Sequence, residues 1–181
     1  AVLLAAFFGA AYIITMRSFG QIESREALDA VSRAMEAVRE EVDDLSAVAG
    51  HHASSEEAYE YFSGPGGTVA DTAFGEAAVR SLRVNYAIVL DERGRVVRAG
   101  GFDLEREQEL PVPRDLLELA STPGSVLSAP DPQAGIAGVV ALREGPVLVA
   151  VRQVLHTDGS GPSPGTLVFV RRLDAAESER L

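Results

Sequence analysis

The sequence has no cysteine and no lysine. Without cysteine there is no disulfide framework, no thiolate zinc site, no iron–sulfur cluster and no thiol nucleophile. Without lysine, neither Gly64–Gly67 nor Gly100-Gly101 makes a phosphate loop, because no Gly-Lys-Ser/Thr follows. Positive charge is scarce as well: 16 arginines stand against 27 acidic residues, a net charge of −11. Such a surface is a poor match for nucleic acid, whose phosphates are held by Lys and Arg. Histidine occurs three times, and the one serine in a suggestive setting, Ser160 of Asp158-Gly159-Ser160-Gly161, lacks the Gly-x-Ser-x-Gly spacing of a nucleophile elbow. Hydrolytic catalysis therefore has no visible machinery. No repeat with a period of 20–50 residues is present. What remains is 46% apolar over 181 residues, enough for one packed domain.

The apolar residues are unevenly spread. Ala1 to Met16 carries no charge. A spanning helix needs ~20 apolar residues, and this run reads as the end of one, continuing directly into Arg17-Ser18-Phe19. A signal-peptide core and a buried N-terminal helix are the rival readings. From Arg17 to Ala49 there is no proline, and helix formers dominate. Leu28, Val31, Met35, Val38, Val42, Leu45 and Ala49 step by three and four, an a/d seam. The seam predicts a helix over 17–50 that either dimerises or packs on its own domain. A second stripe of Ala27, Ala30, Ala34 and Ala37 allows another close approach, and Gly50 is placed as the helix terminator. About 33 residues make a rod of roughly 50 Å, suited to carrying a small movement between a domain and a bilayer.

Beyond residue 50 the period changes. Short helices are expected over 53–62, 68–82 and 113–121, with Ser54 or Ser55 capping the first. Strands are expected over 85–90, 95–99, 136–142, 146–155 and 166–171, with turns at Asp91–Gly94 and Arg143–Gly145. Residues 174–181 read as the start of a C-terminal helix leading to a second span. The fold class is α+β: a long helix on a five-stranded antiparallel sheet, the plan of PAS-like or Cache-like sensors.

Four segments carry a family resemblance. They are Ser18-Phe19 with Glu23; His51 to Tyr61; Asp91-Glu92-Arg93-Gly94-Arg95-Val96-Val97; and Gly145 to Ala150, followed by Gly161-Pro162, Gly165 to Val168, Arg171 and Leu173-Asp174. In that order they resemble the CHASE4 domain, an extracytoplasmic sensor of bacterial and archaeal signalling receptors. The second segment is similar to the family's Asp-Trp-Ala-x-Trp-Asp-Asp-x-Tyr-x-Phe, with Ala53, Glu56, Glu57, Tyr59 and Tyr61 in step. The family's tryptophans fall on His52 and Ser55, its leading aspartate on His51, and a customary proline on Gln153. The resemblance implies a sensor body over 51–173 between two membrane helices. It implies an output by a histidine kinase, a diguanylate cyclase or phosphodiesterase, or a chemotaxis-type module.

The candidate site residues follow. Tyr59 and Tyr61 cannot share a helix face, so at most one faces a pocket. Arg152 and Arg171, in predicted strands, could each grip a carboxylate bidentately or pair with an acidic neighbour. Asn85 opens a strand, as ligand group or turn residue. His51, His52 and Glu56, with Glu57 beside them, are weak metal candidates, His156 being a third ligand if folding brings it near, and no cofactor is expected. The expectation is a non-enzymatic signal-input domain at the cell membrane, facing the periplasm or the exterior. It would be a homodimer with an unidentified small ligand or protein partner and no nucleic acid. The alternative is a membrane-anchored structural adaptor without a ligand.

Overall fold

The computed structural model describes residues 2–63, 76–127 and 135–173, with side chains described at 28–63, 79–127 and 135–173. Helix α1 spans Val2–Ala53. Helices α2 (Glu56–Ser63) and α3 (Glu76–Ser81) follow. Strands β1 (Tyr86–Asp91), β2 (Val96–Asp103) and β3 (Gln108–Glu109) come next, then α4 (Arg114–Ser121). Strands β4 (Ile136–Leu142), β5 (Gly145–Gln153) and β6 (Gly165–Arg172) complete the described order. Among the described residues no helix is long and apolar enough to cross a membrane. The side chains of the apolar run 1–16, the loops at 64–67 and 128–134, and the C-terminal helix expected over 174–181 lie outside the described residues.

The six strands form one sheet in the order β3-β2-β1-β6-β5-β4, antiparallel at every pairing. The last strand therefore sits in the middle, against β1 on one side and β5 on the other. Both faces of the central strands are buried, which is why they read as continuous apolar runs. Alternation splits them cleanly. Ala87 and Val89, Leu148 and Ala150, and Leu167 and Phe169 face α1 together with Leu45, Ala49 and Ala53. Ile88, Leu90, Val149, Val151, Val168 and Val170 face the other way, against Leu116 and Ala120 of α4 and against Leu127.

Two sequence expectations are corrected here. The sheet has six strands rather than five. The extra one is two exposed polar residues, Gln108 and Glu109, with no apolar alternation to betray it. It is set by Asp103, whose Oδ1 accepts the N–H groups of Glu105 and Arg106 at 3.0 Å each, folding the chain back onto β2. The second correction concerns Gly50. Helix α1 runs through it to Ala53, and the Ser54 N–H still donates to the Gly50 carbonyl at 3.1 Å. Ala49 and Ala53 are buried against the sheet, so another turn of packing outweighs a helix glycine's cost of about 1 kcal/mol. Of the two cap candidates, Ser55 acts: its Oγ accepts the Ala58 N–H at 3.2 Å.

The first hairpin turns as its residues predict. Asp91 Oδ1 accepts the N–H groups of Arg93 and Arg95, both at 2.9 Å, while Gly94 supplies the left-handed residue at φ 73°. The Arg95 backbone bond, helped by that residue's side chain, holds the Asp91 carboxyl below the usual carboxylate range.

Candidate functional site

The seam of α1 meets the sheet along only part of its length. Leu45 and Ala49 are fully buried, and Val38 and Val42 pack at the margin of the same core. Higher up, Leu28, Val31 and Met35 are 66%, 57% and 51% exposed. One heptad pattern therefore contains an intramolecular half and an uncovered half.

Arg171, on β6, fastens the buried half. Its side chain is 9% exposed. Nη1 donates to Glu41 Oε2 at 2.6 Å, and Nη2 to Asp44 Oδ2 at 3.2 Å. Nε donates to the Arg83 carbonyl at 3.0 Å. Arg83 itself is left-handed, at φ 53°, in the turn that closes α3. The carboxylates that Arg171 grips thus belong to the chain's own helix, the second of its two readings, pairing with acidic residues of the chain itself. Asn85 likewise bonds within the chain. Its Nδ2 donates to the Phe102 carbonyl at 3.3 Å and its Oδ1 accepts the Arg172 N–H at 2.8 Å. Buried in this way, it joins β2, β1 and β6 where the strand ladder ends.

The histidines separate. His51 and His52 lie in the last turn of α1, and the break before Glu56 removes the one-helix spacing that a shared metal would use. His52 turns edge-on to Phe169, with ring centroids 6.0 Å apart. Burial lowers its pKa, the neighbouring His51 charge lowers it further, and Glu57 opposes them. His156 instead stacks on Tyr59 at 3.5 Å and stands 3.6 Å from Glu56. Among the described residues no group of three His, Asp or Glu side chains is arranged to hold a metal. Tyr59 and Tyr61 both pack on the core margin, Tyr61 edge-on to Phe62. Ser160 donates its hydroxyl to Asp158 Oδ1 at 2.6 Å, a turn contact.

Among the described residues, three clefts of small-molecule size open on the body. One of about 540 Å³ lies along the outer edge of β2, between Arg98 and Glu109. One of about 450 Å³ lies at the Asp91 end of the sheet, beneath Thr122 and Leu127. The third, about 340 Å³, lies where α1 ends, and Arg152 lines it. Arg152 therefore lines one of these clefts, whereas Arg171 lines none of the three. The sequence reading missed Glu41 and Asp44. Their partner is 127 or more residues away, and no local signal marks it.

Comparison with known proteins agrees with this architecture. The family model described as the CHASE4 domain matches residues 37–181. Over 100 residues, 55% of this chain, the sequence is 33% identical to the methanogenesis regulatory histidine kinase FilI of Methanothrix harundinacea strain 6Ac. That match spans 11% of the kinase's length. Two solved structures share the fold. The extracellular domain of vpHK1S-Z8, described as a histidine kinase, superposes with a TM-score of 0.57 at 14% identity, covering 86% of this chain and 59% of that one. A domain of a sensory box/GGDEF family protein from Vibrio parahaemolyticus gives 0.59 at 15% identity, covering 86% and 62%.

Proposed function

The chain belongs to the CHASE4 domain family, a family of sensor domains, and from that premise we propose that it is the extracytoplasmic input domain of a membrane receptor. The receptor's output is a histidine kinase or a diguanylate cyclase or phosphodiesterase. The curated relative that is a histidine kinase supports the first, and the fold shared with a GGDEF-protein domain is compatible with the second. The domain receives a signal and performs no chemistry. Its body faces the periplasm or the exterior, and the apolar run Ala1–Met16 leads α1 into the membrane.

The observation that carries this reading is the divided helix. Its lower half is part of the sheet's core and is tied there by Arg171 to Glu41 and Asp44. Its upper half continues without a break and exposes Leu28, Val31 and Met35, which we assign to the same stripe of a second copy. Three apolar residues at a/d spacing are self-complementary, as a two-fold pair requires. A ligand or partner protein that favours one seating of the sheet on α1 shifts the receptor between two states by its differential affinity for them.

The test is Arg171→Met in the full receptor. The expected result is a change in unstimulated output of about 5- to 150-fold, the ordinary range of coupling between sites. A folded Arg171→Met receptor with unaltered output and unaltered response would leave the structural adaptor as the better reading.

A further inference from the structure

The two edges of the sheet are built differently. At one edge β3 is only two residues long. Leu110 then donates its N–H to the Gly101 carbonyl at 2.9 Å, and Pro111 follows, with no N–H to extend the ladder. A very short strand and a proline are among the devices that keep a sheet from pairing further.

At the other edge β4 has none of them. Ile136-Ala137-Gly138-Val139-Val140-Ala141-Leu142 contains no charge and no proline. It pairs with β5 in unbroken register, from Ile136 opposite Val151 to Leu142 opposite Gly145, so no bulge turns it away. β5 is its one strand neighbour, and among the described residues its outer backbone groups make no hydrogen bond. Ala137, Val139 and Ala141 are exposed along it, Val139 to 50%. Such an edge is a row of alternating donors and acceptors, and the group that satisfies the whole row is another extended chain.

A second copy does not suit it. Helix α1 lies along β5, from the Ala53 carbonyl at Leu155 to Glu41 at Arg171, whose strand partner is Leu148. Two β4 edges paired antiparallel about a two-fold axis reverse everything that lies along the strands. The two copies of α1 would then leave in opposite directions, whereas in the receptor both enter one membrane. Charge describes the partner further. The chain carries −11, and α1 packs beside β4. Apart from Glu41 and Asp44, which Arg171 holds, the charges that α1 exposes over 36–44 are Glu36, Glu40 and Asp43 against Arg39. An acidic surround favours a basic partner.

We propose that the outer edge of β4 receives an extended segment of a partner protein, apolar in alternation along the strand and basic at its flanks. Backbone bonds hold the segment, and Ala137, Val139 and Ala141 meet its side chains on the face that α1 occupies. The choice of partner rests on the reading of the chain as a membrane receptor and names the kind of molecule it receives.

The experiment uses the full receptor in nanodiscs and a synthetic peptide of alternating valine and threonine, as long as β4 and carrying arginine at both ends. Saturable binding is expected in fluorescence anisotropy, with amide exchange of β4 slowed at least tenfold by mass spectrometry. A peptide with glutamate at both ends, and one with proline at every second position, are each expected to bind at least tenfold more weakly. Val139→Lys puts a charge on the open edge and is expected to weaken binding tenfold or more at an unchanged melting temperature. Ala137→Lys makes the same test if Val139→Lys does not fold. No saturable binding, or binding that neither variant weakens, overturns the inference. Equal binding of the glutamate-ended peptide overturns the basic flanks. Self-association of the receptor beyond a dimer, abolished by Val139→Lys and without peptide binding, gives the edge to a second copy and overturns the partner. If these fail while Arg171→Met still alters output, the sensor reading stands and only the docking edge is wrong.

Discussion

The two halves of α1 share one sequence pattern and differ in what covers it. From Val38 to Ala49 the seam is filled by Leu148, Ala150, Leu167 and Phe169 of the sheet. From Leu28 to Met35 the same spacing lies open, because the sheet does not reach that far. A heptad therefore states that a helix has an apolar stripe; where the neighbouring strands end decides whether the chain itself supplies the partner.

The comparison breaks most sharply with a matched pair of charges. Leu45→Asp buries an unpaired carboxylate in a site with no exposure and is expected to cost more than about 4 kcal/mol, unfolding the domain in thermal melts followed by circular dichroism. Leu28→Asp, on the open half, is expected to leave monomer stability within about 0.5 kcal/mol. Similar losses for both would mean that the open half is also core. A smaller effect sharpens the upper half alone. In the full receptor in membranes, Met35→Cys is expected to give a cross-linked dimer on mild oxidation, while Val42→Cys, packed on its own sheet, gives little. Equal cross-linking at both positions would contradict the division.

The smallest effect belongs to the lower end of the helix. Burial first, and then His51, depress the His52 pKa below its unfolded value of 6.5, with Glu57 opposing. Below that value the unfolded chain binds the proton more readily than the fold does, so stability falls as pH drops from about 6.5 through the folded pKa. Thermal melts between pH 7 and pH 5 are expected to show a shallow decline that His52→Gln removes. A decline of the same steepness in His52→Gln would assign it to other groups.

Much of this was legible in the residues. The hairpin at Asp91–Gly94 announced itself, because Asp and Gly at those offsets make one turn by local bonds. The central strands were readable as apolar runs, and the α+β class followed from their order. Gly50 misled, because local propensity favours a terminator there, while the packing of Ala49 and Ala53 comes from strands about 100 residues away. Asn85 and Arg171 were recognisable as unusual in strands. What they bond to, the Phe102 carbonyl and the acidic residues of α1, is a product of topology.

The fastening at Arg171 also gives the molecule a fulcrum. From the Glu41 attachment to Val2, α1 extends for about 58 Å at 1.5 Å per residue. A stiff rod of that length, pivoting where the guanidinium holds it, moves its far end by about 1 Å for each degree of tilt. Shifts too small to disturb a single hydrogen bond in the sheet are in this way magnified into displacements the size of a side chain. The gain is set simply by how much helix lies beyond the pivot.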